Sequence, residues 1–330
     1  MDVNTGEPLA MASWPTYNAE TMLEDYDELV ADPNAPLYNR AVMGVYAPGS
    51  TFKMVMVVAG IDSGKIDRYT IIKDEGEYRK YAASGYTPAC MIWNSSHATH
   101  GEINAMEALR DSCNYYFYAL ADEKGVSIHT IDHTAKGLGL GEPTGIELFE
   151  YTGYRSNPET KKALFKGDNA RWYPSDLIGT SIGQSENRFT PMQLCVYATT
   201  LANRGNRYKA TFMNRVVSAD YRELLLENKS ELVSHMDISE ETYNTYSHGM
   251  YLVTSTVAGT ADTTFMGYPI KVAGKTGTAE TGIYGTSDNG AFVCYAPLDD
   301  PKIAIAVYVE KAGHGGSVAS VARSILDVYF

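Results

Sequence analysis

The residues best suited to chemistry begin with a serine and a lysine three positions apart. Ser50 and Lys53 lie in the stretch YAPGSTFKM, ahead of the apolar run MVMVVAG. On a helix, positions i and i+3 share a face, so the Lys53 amine would lie beside the Ser50 hydroxyl. A neutral amine could accept the serine proton, and N–H groups at the helix start suit an oxyanion. The same stretch also fits an ordinary helix start in which Ser50 is only the N-cap.

A second candidate is the triplet Lys275-Thr276-Gly277, which continues as Thr278 and follows the segment YPIKVA. A phosphate-binding loop would need glycine at position 269, where Pro269 stands, so that kind of site is excluded. A strand edge with a lysine and hydroxyls can instead bind a carboxylate, and Gly277 would let a substrate backbone approach closely. The alternative is a glycine-rich strand turn without chemistry.

A third pattern, Ser-x-Asn, occurs twice. One copy comprises residues 112–114, Ser-Cys-Asn, and the other residues 185–187, Ser-Glu-Asn. The first falls inside GEINAMEALRDSCNYYFYALADEKG, which predicts a helix, a break and a second helix, because Asp, Ser and Asn compete with helical hydrogen bonds. Such a break exposes side chains, which favours Ser112 and Asn114 as the functional copy.

The sequence predicts no metal or cofactor site. Histidine pairs with ligand-like spacing occur at His97 and His100 and at His129 and His133, but no third ligand is recognisable near either pair. A metalloprotease helix would need glutamate at position 130, where Thr130 stands. The cysteines form no C-x-x-C pair and are predicted to be free and buried. They are Cys90, Cys113, Cys195 and Cys294.

Composition narrows the class of protein. The net charge of −13 disfavours nucleic-acid binding, because phosphate contacts need positive charge. No apolar run reaches the roughly 18 residues of a membrane span. The start, MDVNTGEPLAMAS, reads like the interior of a longer protein and does not resemble a signal peptide.

Local patterns predict the elements that would position the candidate residues. A strand is expected in EPLAMASWP, at residues 7–15, and a helix at residues 50–63. Another helix should follow Thr190 as N-cap and end before Gly205. YPIKVAGKTGTAE, NGAFVCYAP and KIAIAVYVE predict three strands, and SVASVARSILDVYF predicts a closing helix.

Strands at both ends and helices between them predict an α/β (α+β) fold. We expect an antiparallel sheet built from N- and C-terminal strands, flanked by helices, with an inserted all-helical lobe. The whole chain, residues 1–330, would form one domain. Its sheet lobe would comprise about residues 1–49 and 251–330, and its helical lobe about residues 50–250.

The ordered set Ser-x-x-Lys, Ser-x-Asn and Lys-Thr-Gly resembles the signature motifs of penicillin-binding proteins and serine β-lactamases. The flanking text resembles the transpeptidase domain of class B penicillin-binding proteins over nearly the whole chain. The similar stretches are TGEPLAMAS, YAPGSTFKM, HGEINAMEALRDSCNYYFYAL, SIGQSENRFTPMQLCVYATTLANRG, VAGKTGTAE and AFVCYAPLDDPKIAIAVYVE. This resemblance selects the Ser112 copy of Ser-x-Asn over the Ser185 copy, since the family's motif precedes an aromatic stretch that YYFYAL matches. The resemblance also marks IGQ, at residues 182–184, as a separate family feature.

The resemblance implies a β-lactamase/transpeptidase-like fold and a role for each motif residue. Ser50 would attack the carbonyl between the two terminal D-alanines of a peptidoglycan stem peptide, and Lys53 would accept its proton. Ser112 would relay a proton towards the leaving amine, Asn114 would hydrogen-bond the substrate amide and Lys53, and Lys275 would supply positive potential.

The remaining implied roles concern substrate binding. Thr276, Gly277 and Thr278 would bind the donor, with both threonine hydroxyls on its carboxylate. Backbone N–H groups of Ser50 and Thr278 would form the oxyanion hole. An amine from a neighbouring stem peptide would then resolve the acyl-enzyme, whereas β-lactam antibiotics would acylate Ser50 and stay bound. The resemblance implies no cofactor and no metal.

The resemblance also sets expectations for location and partners. Class B proteins normally carry a membrane-spanning segment and a non-catalytic domain before this region, so we expect this chain to be the catalytic part alone. The protein would act at the extracytoplasmic face of the membrane, with a membrane glycosyltransferase as partner through the missing region. Alternatives of the same fold are a serine β-lactamase, a penicillin-sensor domain, a D,D-carboxypeptidase or endopeptidase, and a binding module without activity.

Overall fold

A computed structural model of the chain describes residues 1–281 and 285–330. In these residues the helices are α1 (Tyr26–Ala31), α2 (Arg40–Met43), α3 (Lys53–Asp62), α4 (Met91–Ser96), α5 (Ala105–Arg110), α6 (Asn114–Asp122), α7 (Ile128–Gly137), α8 (Pro158–Leu164), α9 (Pro174–Ser181), α10 (Pro191–Ala202), α11 (Glu240–Ser255), α12 (Asp262–Phe265) and α13 (Ala319–Tyr329). The strands are β1 (Ile72–Asp74), β2 (Gly101–Ile103), β3 (Asn206–Tyr208), β4 (Arg215–Val217), β5 (Leu224–Glu227), β6 (Leu232–His235), β7 (Ala273–Ala279), β8 (Asn289–Ala296) and β9 (Ile303–Val309).

The main sheet is antiparallel and has the order β7-β8-β9. Successive residues of β8 point to opposite faces, as the pleat requires. Val293 and Tyr295 belong to the core that includes α3, α6 and α10, whereas Phe292 and Cys294 belong to the core that includes α13. Both faces of the sheet are therefore covered, which explains why β8 is almost continuously apolar.

The predicted N-terminal strand at residues 7–15 is wrong. Residues 1–3 run along β9 instead, where Val3 N–H donates to the Lys302 carbonyl at 3.0 Å and the Met1 amine donates to the Ala304 carbonyl at 2.9 Å. In the predicted segment Leu9 is 50% exposed and Trp14 is 80% exposed, and Met11 alone of these three packs against a core cluster. The sheet still uses both ends of the chain, but the N-terminus contributes only an edge bridge.

The prediction that the central part of the chain is all helical is wrong, because this part also contains β1 to β6. These strands are three or four residues long and form two-stranded antiparallel pairs. The helices α10 and α11 from the same part contact β9 and β7, and α13 contacts the sheet as well. The lobe boundaries given above stay a prediction.

Several local predictions are confirmed. The helix that begins at Pro191 has the expected cap, in which the Thr190 side chain accepts from Gln193 N–H and the Gln193 side chain accepts from Thr190 N–H. A break separates α5 from α6, the three C-terminal strands form, and the chain closes with α13. All four cysteines are free, and all but Cys195 are buried. Among the described residues, no helix combines the length and hydrophobicity needed to span a membrane.

Candidate active site

A tight turn presents Ser50 at the start of α3. A 3₁₀-helix over Gly49–Phe52 leads directly into α3, so Ser50 lies one turn before Lys53. Gly49 has a φ of 53°, and a Cβ at this position would collide with the carbonyl oxygen of Thr278. Gly49 N–H also donates to the Gly183 carbonyl at 3.1 Å, so the IGQ stretch lies beside the turn that carries Ser50.

The break between α5 and α6 places the Ser-x-Asn motif. Ser112 adopts the left-handed conformation with a φ of 53°, and Cys113 N–H donates back to the Ala108 carbonyl at 3.0 Å. Asn114 then begins α6 and is 8% exposed. A non-glycine residue in this conformation stores strain, which is commonly found at functional sites.

Both lysines of the motifs meet at Ser112. Lys53 Nζ donates to the Ser112 carbonyl and to Asn114 Oδ1, each at 2.7 Å, and lies 3.3 Å from Ser112 Oγ. Lys275 Nζ lies 3.0 Å from the same Ser112 Oγ and donates to the Thr276 carbonyl at 3.0 Å. One hydroxyl therefore bridges two amines.

Burial makes both amines easier to deprotonate. Lys53 and Lys275 are each 0% exposed. Desolvation lowers the pKa of Lys53 to about 8, although nearby cysteine charge acts in the opposite direction. Burial, and then the positive charge of Lys53, hold the pKa of Lys275 well below its usual value. A buried site of this kind does not favour two positive charges at once.

The strand β7 carries the Lys-Thr-Gly motif along the edge of the site. Position 277 also requires glycine for a packing reason, because a Cβ there would lie 2.6 Å from the Pro48 carbonyl oxygen and 2.9 Å from Thr51 Cγ2. The glycine thus lets β7 pack against the turn that carries Ser50. The predicted close approach of substrate stays a prediction. The Thr278 hydroxyl is half-buried and accepts from Gly315 N–H at 3.3 Å.

The second Ser-x-Asn copy has structural contacts. Ser185 Oγ donates to the Asp176 carbonyl at 3.1 Å. Asn187 is 1% exposed, and its Oδ1 accepts from Ser156 N–H at 3.0 Å. The structure brings Ser112 and Asn114, and not this copy, into hydrogen-bond contact with the lysines.

A cluster of possible metal ligands adjoins the site and was missed by the sequence analysis. One ligand atom from each of its four side chains lies within 4.8 Å of the other three. The cluster comprises Asp74, Cys90, His100 and Cys113. Three members are buried, and Cys113 lies between Ser112 and Asn114, so the cluster adjoins the Ser-x-Asn motif directly. The four residues are spread over 40 positions without a compact spacing, which is why no motif revealed them.

Three of the distances within this cluster are close to those of a tetrahedral zinc site. Tetrahedral zinc with nitrogen, oxygen and sulfur ligands would separate neighbouring ligand atoms by roughly 3.3–3.8 Å. Cys90 Sγ lies 3.6 Å from His100 Nδ1 and 3.9 Å from Cys113 Sγ, and Cys113 Sγ lies 3.5 Å from Asp74 Oδ2. The His100–Asp74 distance of 2.7 Å is that of a hydrogen bond. Burial acts to lower the pKa of His100, but the hydrogen bonds with Asp74 and Cys90 outweigh it and raise the pKa to about 9.

Comparison with known proteins gives a consistent assignment. The model of the penicillin-binding protein transpeptidase domain matches residues 1–327. A similar curated protein is the peptidoglycan D,D-transpeptidase MrdA of Acinetobacter baumannii, 31% identical over 348 residues, which cover 100% of this chain and 50% of that protein. The chain spans about half the length of the curated MrdA relatives it matches.

Solved structures agree with this result. The structure of Pseudomonas aeruginosa PBP2 in complex with WCK 5153 has a TM-score of 0.86 at 26% identity, covering 100% of this chain and 69% of that one. The complex between PBP2 and MreC from Helicobacter pylori gives 0.83 at 25% identity, covering 100% and 60%. The predicted fold class and family are thereby confirmed, and the chain belongs to the family of penicillin-binding protein transpeptidase domains.

Proposed function

We propose that this chain is the catalytic domain of a serine D,D-transpeptidase that cross-links peptidoglycan stem peptides. The observation that carries the proposal is the Ser112 hydroxyl, which lies within hydrogen-bond distance of both buried lysine amines. A hydroxyl between two amines offers a path along which a proton can travel from nucleophile to leaving group. The curated relatives named as D,D-transpeptidases support the same reaction.

Acylation begins with neutral Lys53. Its two N–H bonds point to the Ser112 carbonyl and the Asn114 side-chain oxygen, which leaves the nitrogen lone pair for the Ser50 proton. Ser50 Oγ then attacks the carbonyl between the terminal D-alanines. Backbone N–H groups of Ser50 and Thr278 stabilise the oxyanion, and the loss of one such donor typically costs about 3 kcal/mol.

The second half of the reaction returns the proton. It passes from Lys53 through the Ser112 hydroxyl to the amine of the departing D-alanine, and Ser50 is left as an ester of the donor peptide. The amine of a neighbouring stem peptide attacks this ester, gives up a proton along the same path, and releases Ser50 with a new peptide bond. A β-lactam is opened by the same first step and stays on Ser50.

The donor carboxylate binds at the edge of β7. The hydroxyls of Thr276 and Thr278 donate to it, and any positive charge on Lys275 stabilises it from the buried side. Gly277 contributes by keeping the strand close to Ser50. No step requires a cofactor, and the cluster of Asp74 and its neighbours would hold a metal only as support for the Ser-x-Asn turn.

The protein would act at the extracytoplasmic face of the bacterial membrane, where peptidoglycan lies. PBP2 of Helicobacter pylori forms a complex with MreC, and a further structural neighbour belongs to a peptidoglycan synthase complex that coordinates polymerization and crosslinking. By analogy we propose a membrane glycosyltransferase as partner, bound through a region outside this chain.

Mass spectrometry of the intact chain tests the acyl-enzyme. Incubation with benzylpenicillin should add the mass of one penicillin, and Ser50→Ala should abolish the addition. Ser185→Ala is the matched control, because Ser185 contacts only structural groups, and it should be labelled like the wild type. Labelling that survives Ser50→Ala would reject Ser50 as the nucleophile.

Turnover separates transpeptidation from the alternatives. With a chromogenic cephalosporin we expect one burst of hydrolysis, whereas steady turnover would indicate a β-lactamase. With a D-Ala-D-Ala donor and an amine acceptor we expect a cross-linked product. Release of D-alanine without that product would indicate a carboxypeptidase.

A further inference from the structure

The Thr276 hydroxyl has a partner that lies outside the three motifs. Thr260 Oγ1 lies 2.6 Å from Thr276 Oγ1. Among the described residues, Thr260 is the hydrogen-bond partner of the Thr276 side chain. Thr276 is only 6% exposed, whereas Thr260 is exposed, so the pair leads from the buried edge of β7 to the surface.

The turn that carries Thr260 is firmly held. It connects α11 to α12, and Ala261 N–H donates back to the Val253 carbonyl at 3.1 Å. A Cβ on Gly259 would collide with the same carbonyl, so the backbone approaches the end of α11 more closely than any other residue would allow. Ala261 is 1% exposed. Thr260 is therefore flanked by two small buried residues that fix its position.

A glycine loop meets this turn beside the same strand. The Thr260 carbonyl oxygen lies 3.0 Å from the Cβ position that Gly316 lacks. The neighbouring Gly315 N–H donates to the Thr278 hydroxyl at 3.3 Å. Both β7 hydroxyls proposed to bind the carboxylate are thus contacted by groups from elsewhere in the chain.

The chemistry of two paired hydroxyls explains what such a contact does. If Thr260 donates to Thr276, the Thr276 proton remains available for a carboxylate. The reverse direction would turn an oxygen lone pair of Thr276 towards the anion. A hydroxyl that accepts one hydrogen bond also becomes a better donor of the next, because the bonds polarise one another.

We infer that Thr260 is a positioning residue for the donor carboxylate: it donates to Thr276 and so directs the Thr276 proton towards the anion. This inference rests on the proposed function, because the carboxylate is that of a D-Ala-D-Ala donor or a β-lactam. Thr260 does not touch the reacting carbonyl, so its effect is confined to ligands that carry the carboxylate.

The test compares benzylpenicillin with its methyl ester, which lacks the anion. The second-order acylation rate constant is measured for the wild type, Thr260→Val and Thr260→Ser. Thr260→Val keeps the shape but removes the hydroxyl, and it should slow acylation by benzylpenicillin roughly tenfold, the loss typical of one hydrogen bond. The ester should react at the same rate with wild type and variant, and Thr260→Ser should restore the rate with benzylpenicillin.

Two controls keep the outcomes distinct. Thr263→Val changes another exposed threonine three positions away and should leave both rates unchanged. Equal slowing of the acid and the ester by Thr260→Val, no slowing at all, or failure of Thr260→Ser to rescue would overturn the inference. A wild-type chain that benzylpenicillin does not acylate would instead overturn the proposed function.

Discussion

Replacing Asn114 by aspartate tests whether Lys53 acts as a neutral base. Asn114 Oδ1 lies 2.7 Å from Lys53 Nζ. Aspartate has nearly the same shape as asparagine, so the substitution adds a negative charge at this distance with little change in packing. A carboxylate this close favours the ammonium form of the lysine and raises its pKa.

The expected size of the effect follows from the wild-type site. Burial lowers the pKa of Lys53 to about 8. At pH 7 a base with that pKa is neutral in about 9% of the molecules, and one pH unit lower in about 1%. An adjacent opposite charge typically moves a pKa by about 1 to 3. The rate at which penicillin acylates the Asn114→Asp variant at pH 7 should therefore fall about 10- to 1000-fold.

The assay is the rate of acylation by a fluorescent penicillin between pH 5 and pH 10. In the wild type the rate should rise about tenfold per pH unit and level off above the pKa of Lys53. In Asn114→Asp the whole acid limb should move to higher pH. Asn104→Asp is the control, because Asn104 caps α5 through its side-chain oxygen and aspartate caps equally well.

The midpoint of the pH profile distinguishes a changed pKa of Lys53 from general damage to the site. A substitution that merely disturbs the site would lower the rate at every pH and leave the midpoint in place. A wild-type profile that is flat from pH 5 to pH 9, or a variant with an unchanged midpoint, would refute the role of Lys53 as base.

Three further predictions concern structure around the site. Gly277→Ala should abolish or strongly reduce penicillin labelling, because its Cβ would lie 2.6 Å from the Pro48 carbonyl, and a circular dichroism melt would check that the chain still folds. Thr190→Ala should lower the free energy of unfolding in urea by about 1 kcal/mol through loss of the α10 cap, with acylation unchanged. Purified protein should contain about one equivalent of zinc by elemental analysis, because the four side chains of the cluster supply all the ligands that one tetrahedral zinc ion needs. Cys113→Ser should lower both the zinc content and the melting temperature, whereas Cys195→Ser should change neither.

The elements that sequence predicts well are those with local signals at their ends. The Thr190 cap, Pro191 at the first helical position and the apolar face after them locate α10 without reference to the rest of the chain. The three C-terminal strands are similarly marked by apolar runs between turn residues. These elements carry Lys275 and its neighbours, so the strand side of the site was predictable.

Elements that depend on distant contacts were predicted poorly. EPLAMASWP has the composition of a short strand, but nothing local indicates that β9 pairs with residues 1–3 instead. The packing role of Gly277 was not predicted for the same reason, because the groups it makes room for are more than 200 positions away. Thr260 and the cluster around Cys113 escaped notice because tertiary folding alone brings their partners together.

Two buried lysines can lie this close together because the site needs to hold only one positive charge at a time. Lys53 and Lys275 both approach the Ser112 hydroxyl, and the charge of Lys53 lowers the pKa of Lys275. The Ser112 hydroxyl has one proton and can donate it to only one neutral amine, while it accepts from the other. In the proposed mechanism, neutral Lys53 uses its two N–H bonds on the Ser112 carbonyl and Asn114, and after taking the Ser50 proton it has a third N–H bond that can donate to the Ser112 hydroxyl. The hydroxyl could then give its own proton to a leaving amine, and the burial that lowers the pKa of Lys53 would also favour passing the proton onward.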